Sequence, residues 1–327
     1  MTVLPQGKHL IILALLLAPP VTPVAAGPIP VRDAELVLDP QNPSLRQVGR
    51  LDYLGGLVLA SEDSRFGGYS GLVVDPDGGG LWAISDTGHW LRLDFDTDAM
   101  GLPRHVARAE ILPLRDAQGR ILEDKRDSDA EALRRTADGG WLVAFEHRHR
   151  IWRYAEPGGR AVGVVALPDA LAGQPANGGI EAMAVLSGDG LLLLSEGEVS
   201  ATGRGAAWLH RGGQWWARSW PLADDFAPTD AVALPDGSVV VLERFYRPLA
   251  GPRARLRLLP PTQAAGPDQA WQPLLLAELA RPYSVDNMEA LDARPAADGS
   301  VWFYVMSDDN RNALQRTLLM VFRLQPQ

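Results

Sequence analysis

One pattern recurs five times along the chain. It reads YSGLVVDPDGGGLWAISD at Tyr69–Asp86, AEALRRTADGGWLVAFE at Ala130–Glu146 and IEAMAVLSGDGLLLLSE at Ile180–Glu196. It returns as TDAVALPDGSVVVLE at Thr229–Glu243 and MEALDARPAADGSVWFYVMSD at Met288–Asp308. Each copy is an apolar stretch, a turn rich in Asp and Gly, a second apolar stretch and a closing carboxylate. Asp-Gly supplies the positive φ angles that a tight hairpin needs. The flanking Val, Leu, Trp and Phe suit buried strands. Each copy therefore predicts a β-hairpin. More polar pairs of candidate strands follow the first three copies, at 89–96 and 105–114, 151–154 and 161–167, and 208–211 and 215–222. A hairpin with two outer strands is a four-stranded blade. A period of about 50 to 60 residues then predicts an all-β fold, a β-propeller. A strict count gives five blades, with a sixth, degenerate blade over 31–68 as the open alternative. Only one strand, 317–324, follows the last copy. The apolar stretch 49–60 is expected to supply its missing partner, closing the ring through the two chain ends and protecting the edges.

Ahead of the repeats, Lys8 and His9 lead an apolar run from Leu10 to Ala18, and Val24, Ala25 and Ala26 offer a cleavage point. This predicts a secretory signal peptide over 1–26. The run is far short of the ~20 residues that span a bilayer. The remainder, 27–327, is expected to be a single domain, periplasmic or secreted, monomeric and without a membrane span. The chain has no cysteine, which excludes disulfides, thiolate metal ligands and cysteine nucleophiles. A core of this size does not need disulfides. The net charge of −9 lacks the basic footprint of a nucleic-acid binder and favours cations as ligands.

Aligning the hairpins produces two rings of positions. The first strands open on Ser70, Glu131, Glu181, Asp230 and Glu289, and the second strands close on Asp86, Glu146, Glu196, Glu243 and Asp308. The start of one strand and the end of the next lie at the same end of an antiparallel hairpin. If the first strands line the channel, these carboxylates converge on one mouth. Carboxylates at that density stay ionised only if cations neutralise them, and Ca²⁺ is the hard, oxygen-seeking partner expected. Glu131, Glu181, Glu196, Asp230, Glu243 and Glu289 are the candidate ligands. Asp86, Glu146 and Asp308 are the candidate general bases. Arg150, Arg204, Arg244 and Arg311 lie near the second ring and are candidates for orienting an anionic substrate. His147 and His149 share a strand face but have no companion ligands of zinc spacing. Ser70 lacks the second glycine and the strand–turn–helix context of a nucleophile elbow.

The segments LDYLGGLVL (Leu51–Leu59), FGGYSGLVVDPDGGGLWAISDTG (Phe66–Gly88), DAEAL (Asp129–Leu133), GGIEAMAV (Gly178–Val185) and DNMEAL (Asp286–Leu291) resemble the phytase-like family of bacterial secreted proteins, described as having esterase-like activity of phytase. The resemblance implies a propeller, export and phosphoester hydrolysis. The expected function is cation-dependent hydrolysis of a phosphoester or related ester at the acidic mouth. A non-catalytic, cation-dependent binding propeller and a calcium-dependent sugar-ester or lactone hydrolase remain alternatives.

Overall fold

The computed structural model describes residues 26–199, 204–247, 250–265 and 270–326. The signal-peptide expectation falls almost wholly outside them. Among the described residues no helix is long and apolar enough to cross a membrane.

The five repeats fold as five antiparallel blades of a β-propeller. Their innermost strands are Tyr69–Val74, Ala130–Arg135, Ile180–Leu186, Ala227–Ala233 and Asn287–Pro295. Each packs beside the next, and the fifth meets the first, so the ring is closed. The closure uses the chain ends. Leu51–Ala60 pairs with the C-terminal strand Thr317–Leu324, and Arg32–Glu35 adds to the outside of the same sheet. Residues 31–68 therefore complete blade 5 instead of forming a sixth blade.

Hairpin chemistry explains the turns. Gly78, Gly139, Gly188, Gly237 and Gly299 all have positive φ, a conformation open to glycine at little steric cost. In four turns an aspartate, Asp77, Asp138, Asp236 or Asp298, accepts the backbone N–H two residues on. These acids sit at the ends of the blades opposite the two rings.

Alternation explains the core. Successive residues of a strand point to opposite faces, and here each face meets a neighbouring blade. Leu72 packs into the apolar cluster between blades 5 and 1, whereas Val73 packs into the one between blades 1 and 2. Five such clusters fill the five interfaces. The 1–2 interface is built on Trp90, whose ring lies edge-on to Trp82, Trp141 and Tyr154. Near the axis the strands come too close for bulk: a Cβ on Gly71 would stand 2.6 Å from the Leu133 nitrogen.

Candidate active site at the acidic mouth

Every innermost strand carries a β-bulge at its first turn of ladder. The residue left unpaired is Ser70, Glu131, Glu181, Thr229 or Glu289. A bulge re-aims its side chain, and here it turns these residues out of the blade ladders at the mouth. Beside them, at the ends of the second strands, stand Asp86, Glu146, Glu196, Arg244 and Asp308.

Blade 4 thus differs from the sequence alignment by one residue. Its bulge is Thr229, not Asp230, and its second-ring position is Arg244, not Glu243. A one-residue slip moves a side chain to the other face of a strand, so both acids leave the mouth. Glu243 is fully buried between blades 3 and 4. It accepts hydrogen bonds from Trp220 Nε1 at 2.6 Å, Arg257 at 3.0 Å and the Arg255 guanidinium. Asp230 lies one layer deeper on the axis. It accepts the Arg134 guanidinium, the Ala231 N–H and, from blade 5, the Leu291 N–H at 2.8 Å. Arg134 also donates to the carbonyls of Leu72, Met183 and Ala231. One buried ion pair thus ties all five inner strands together beneath the mouth.

Asp129, Glu131 and Glu146 each present an oxygen within 4.8 Å of the other two. Oxygens bound to one Ca²⁺ at about 2.3–2.6 Å lie within about 5 Å of one another, so this all-carboxylate set fits such an ion. Asp129 escaped the sequence reading, although it lies two residues before Glu131 in DAEAL and alternation favours a shared face. Burial, reinforced by Glu181 and Asp129, pushes the Glu131 carboxyl well above the usual range. Glu181 is pushed up in the same way by burial and by Glu196, Glu146 and Glu289. Further round the mouth, burial raises Glu289 to about 8 against the pull of Arg244. It raises Asp308 to about 7, with Asp86 adding to the effect.

Two cations sit among these acids. Arg244 Nε lies 2.8 Å from Glu289 and its Nη2 lies 3.4 Å from Glu196. Lys125, the sole lysine after Lys8, bridges Asp86 at 2.8 Å and Asp129 at 2.5 Å. His147 Nε2 approaches Asp129 at 3.1 Å, while His149 Nε2 faces the Pro175 carbonyl at 3.0 Å.

The other three arginines serve the framework. Arg150 stacks on Phe145 and Trp152 and donates to the Asp127 and Arg148 carbonyls. Arg204 holds Ser219 of the neighbouring strand at 2.7 and 2.9 Å. Arg311 donates to the Ser64 carbonyl at 2.7 Å and to Thr87 at 2.6 Å, bridging blades 5 and 1.

Residues 64–311 match the sequence family described as phytase-like, esterase-like activity of phytase. The chain belongs to the phytase-like family. No curated protein matches. Solved structures of similar shape include a protein of unknown function from Dyadobacter fermentans, 11% identical, covering 92% of this chain and 95% of that one at a TM-score of 0.44. A gluconolactonase from Xanthomonas campestris is 11% identical over 94% and 99% of the two chains, with a TM-score of 0.40. A PQQ-bound aldose sugar dehydrogenase from Streptomyces coelicolor is 15% identical over 90% and 99%, with a TM-score of 0.41. The bulges and the second-strand ends that make the mouth of this phytase-like chain lie within the matched residues.

Proposed function

We propose that this phytase-like protein is an exported hydrolase of phosphoester or related ester bonds, with a divalent cation, Ca²⁺ by its ligand chemistry, held at the acidic mouth. The observation that carries this reading is the Asp129, Glu131 and Glu146 cluster, with the buried Glu181 alongside. Such a cation supplies charge stabilisation to a reacting oxygen and a bound water of lowered pKa. Asp129, Glu131 and Glu146 would hold it. Asp308 and Glu289, carrying protons up to about pH 7 and 8, would hand one to a leaving oxygen. Asp86, whose Oδ1 is buried without a partner while Oδ2 pairs with Lys125, is the base nearest blade 1. Arg244 limits the repulsion between Glu289 and Glu196 and is the guanidinium available to a substrate anion at this mouth.

Purified protein, free of its leader, should hydrolyse 4-nitrophenyl phosphate or simple aryl esters with Ca²⁺ and lose that activity in chelator. No turnover of either class in either condition would remove the reading. Arg150, Arg204 and Arg311 are engaged by the framework, which favours a neutral sugar ester or lactone as the second reading. Preference for 4-nitrophenyl acetate over the phosphate would select it.

A further inference from the structure

On the same face as the mouth, a cleft of about 800 Å³ opens between blades 4 and 5, lined by Tyr246, Arg281, Tyr283, Asp286, Leu314 and Arg316. Its walls grow directly out of the mouth. Tyr246 lies two residues beyond Arg244, and Asp286 immediately precedes the inner strand Asn287–Pro295 that carries Glu289. Leu314 and Arg316 belong to the loop that follows Asp308. The volume falls within the range of small-molecule sites, about 300–1,000 Å³.

The charge of the cleft is opposite to that of the mouth. Arg281 is exposed, and no carboxylate among the described residues pairs with it. Gly251 lies against it: a Cβ there would stand 3.4 Å from Arg281 Nε, in ordinary van der Waals contact. Arg316 is half exposed and only loosely tied, its Nε 3.8 Å from Asp286 Oδ2. The two Asp286 oxygens accept the backbone N–H groups of Asn287 at 3.0 Å and Arg316 at 3.1 Å. Asp286 is therefore partly satisfied by the backbone, and both guanidinium forks remain for a ligand. Tyr246, 58% exposed, and Leu314, 90% exposed, give the rim apolar surface.

We propose that this cleft binds a second anionic group of the substrate, a phosphate or a carboxylate, remote from the bond that is cleaved. Two residues lie between Asp286 and Glu289, so their Cα atoms are at most about 10 Å apart at ~3.3 Å per residue step. The proposal rests on the hydrolase reading for the word substrate, but the anion site itself does not.

The first test needs no turnover. Calorimetric titration of the whole chelator-treated protein with pyrophosphate, and separately with succinate, reads the cleft while the mouth repels anions. Wild type and Glu131→Gln/Glu146→Gln should bind alike, whereas Arg281→Ala/Arg316→Ala should bind at least about tenfold more weakly. Whichever of the two probes binds more tightly identifies the group. Equal affinity in the cleft variant, or no heat from either probe with wild type, would overturn the site. The second test uses Ca²⁺ and compares 4-nitrophenyl phosphate with an aryl phosphate bearing a carboxylate on an arm of about 10 Å. The cleft variant should raise KM for the long substrate alone. Unequal pyrophosphate binding with no turnover of any ester would leave the anion site standing and remove the hydrolase reading instead.

Discussion

Replacing Arg134 by Met should cost about 4 kcal/mol of stability, the range for breaking a buried ion pair from one side. Arg134 is 4% exposed and Asp230 is fully buried. Without the guanidinium, Asp230 keeps only the Ala231 and Leu291 N–H groups. The carbonyls of Leu72, Met183 and Ala231, from blades 1, 3 and 4, also lose a donor. Unfolding entropy of ~2.1 cal/mol/K per residue over ~300 residues is ~0.6 kcal/mol/K, so the midpoint should fall by about 6 °C. Arg134→Met/Asp230→Leu removes the stranded charge together with its partner and should recover part of the loss. Differential scanning calorimetry of the two single variants and the double variant reads both effects. A drop under about 2 °C for Arg134→Met, or a double variant at the sum of the singles, would refute the reasoning. Asp230→Asn, melted and titrated in parallel, should lose stability while keeping wild-type affinity for Ca²⁺, since Asp230 lies below the mouth.

Further outcomes follow from the same geometry. Glu243→Gln should lower stability by about 3 kcal/mol, because Arg255 and Arg257 lose their charge partner, and calcium affinity by titration should not move. Glu289 and Asp308 hold protons more tightly folded than unfolded, with folded values of about 8 and 7. The folded state therefore binds more protons between about pH 4 and 8, and stability in chelator should fall as pH rises through that window, by at most several kcal/mol. Melts at about pH 5 and pH 8 check this, and saturating Ca²⁺ should add stability that grows as pH rises, because binding displaces protons from Glu131 and its neighbours. Arg244→Met removes a positive charge beside Glu289 and Glu196 and should tighten Ca²⁺ binding by roughly tenfold.

The blades were legible because their signals are local. Asp-Gly turns and apolar runs of strand length mark every hairpin, and the apolar stretch ending at Ala60 could be matched to the lone strand after Asp308. The register of blade 4 was not legible. In TDAVALPDGSVVVLE both carboxylates move one place together, so an alignment on acids still looks regular. The signal lay in the next position, which is Gly71, Ala132, Ala182 or Ala290 in the other blades. Those side chains are small because inner strands crowd the axis, and Asp230 stands there because Arg134 reaches it. Arg134 itself interrupts a buried strand at a layer occupied by Val73, Ala184 and Val232 in blades 1, 3 and 4 and by Asp292 in blade 5. Opposite charges in that layer indicate a contact across the channel, which single-strand patterning does not contain. Arg150, Arg204 and Arg311 were placed near the mouth by proximity in sequence, but their direction was set by Phe145, Trp152, Ser219 and Thr87, which belong to tertiary packing.

The most direct test of the acidic mouth is calorimetric titration of chelator-treated protein with Ca²⁺ near pH 7, in two buffers of different ionisation enthalpy. Wild type should bind and release protons, since burial and neighbouring carboxylates raise Glu131 and Glu181 well above the usual carboxyl range in the free protein. Glu131→Gln/Glu146→Gln should weaken binding at least about 100-fold, the scale expected on losing two charged ligands. Absence of binding to wild type, or equal binding by the double variant, would contradict the account.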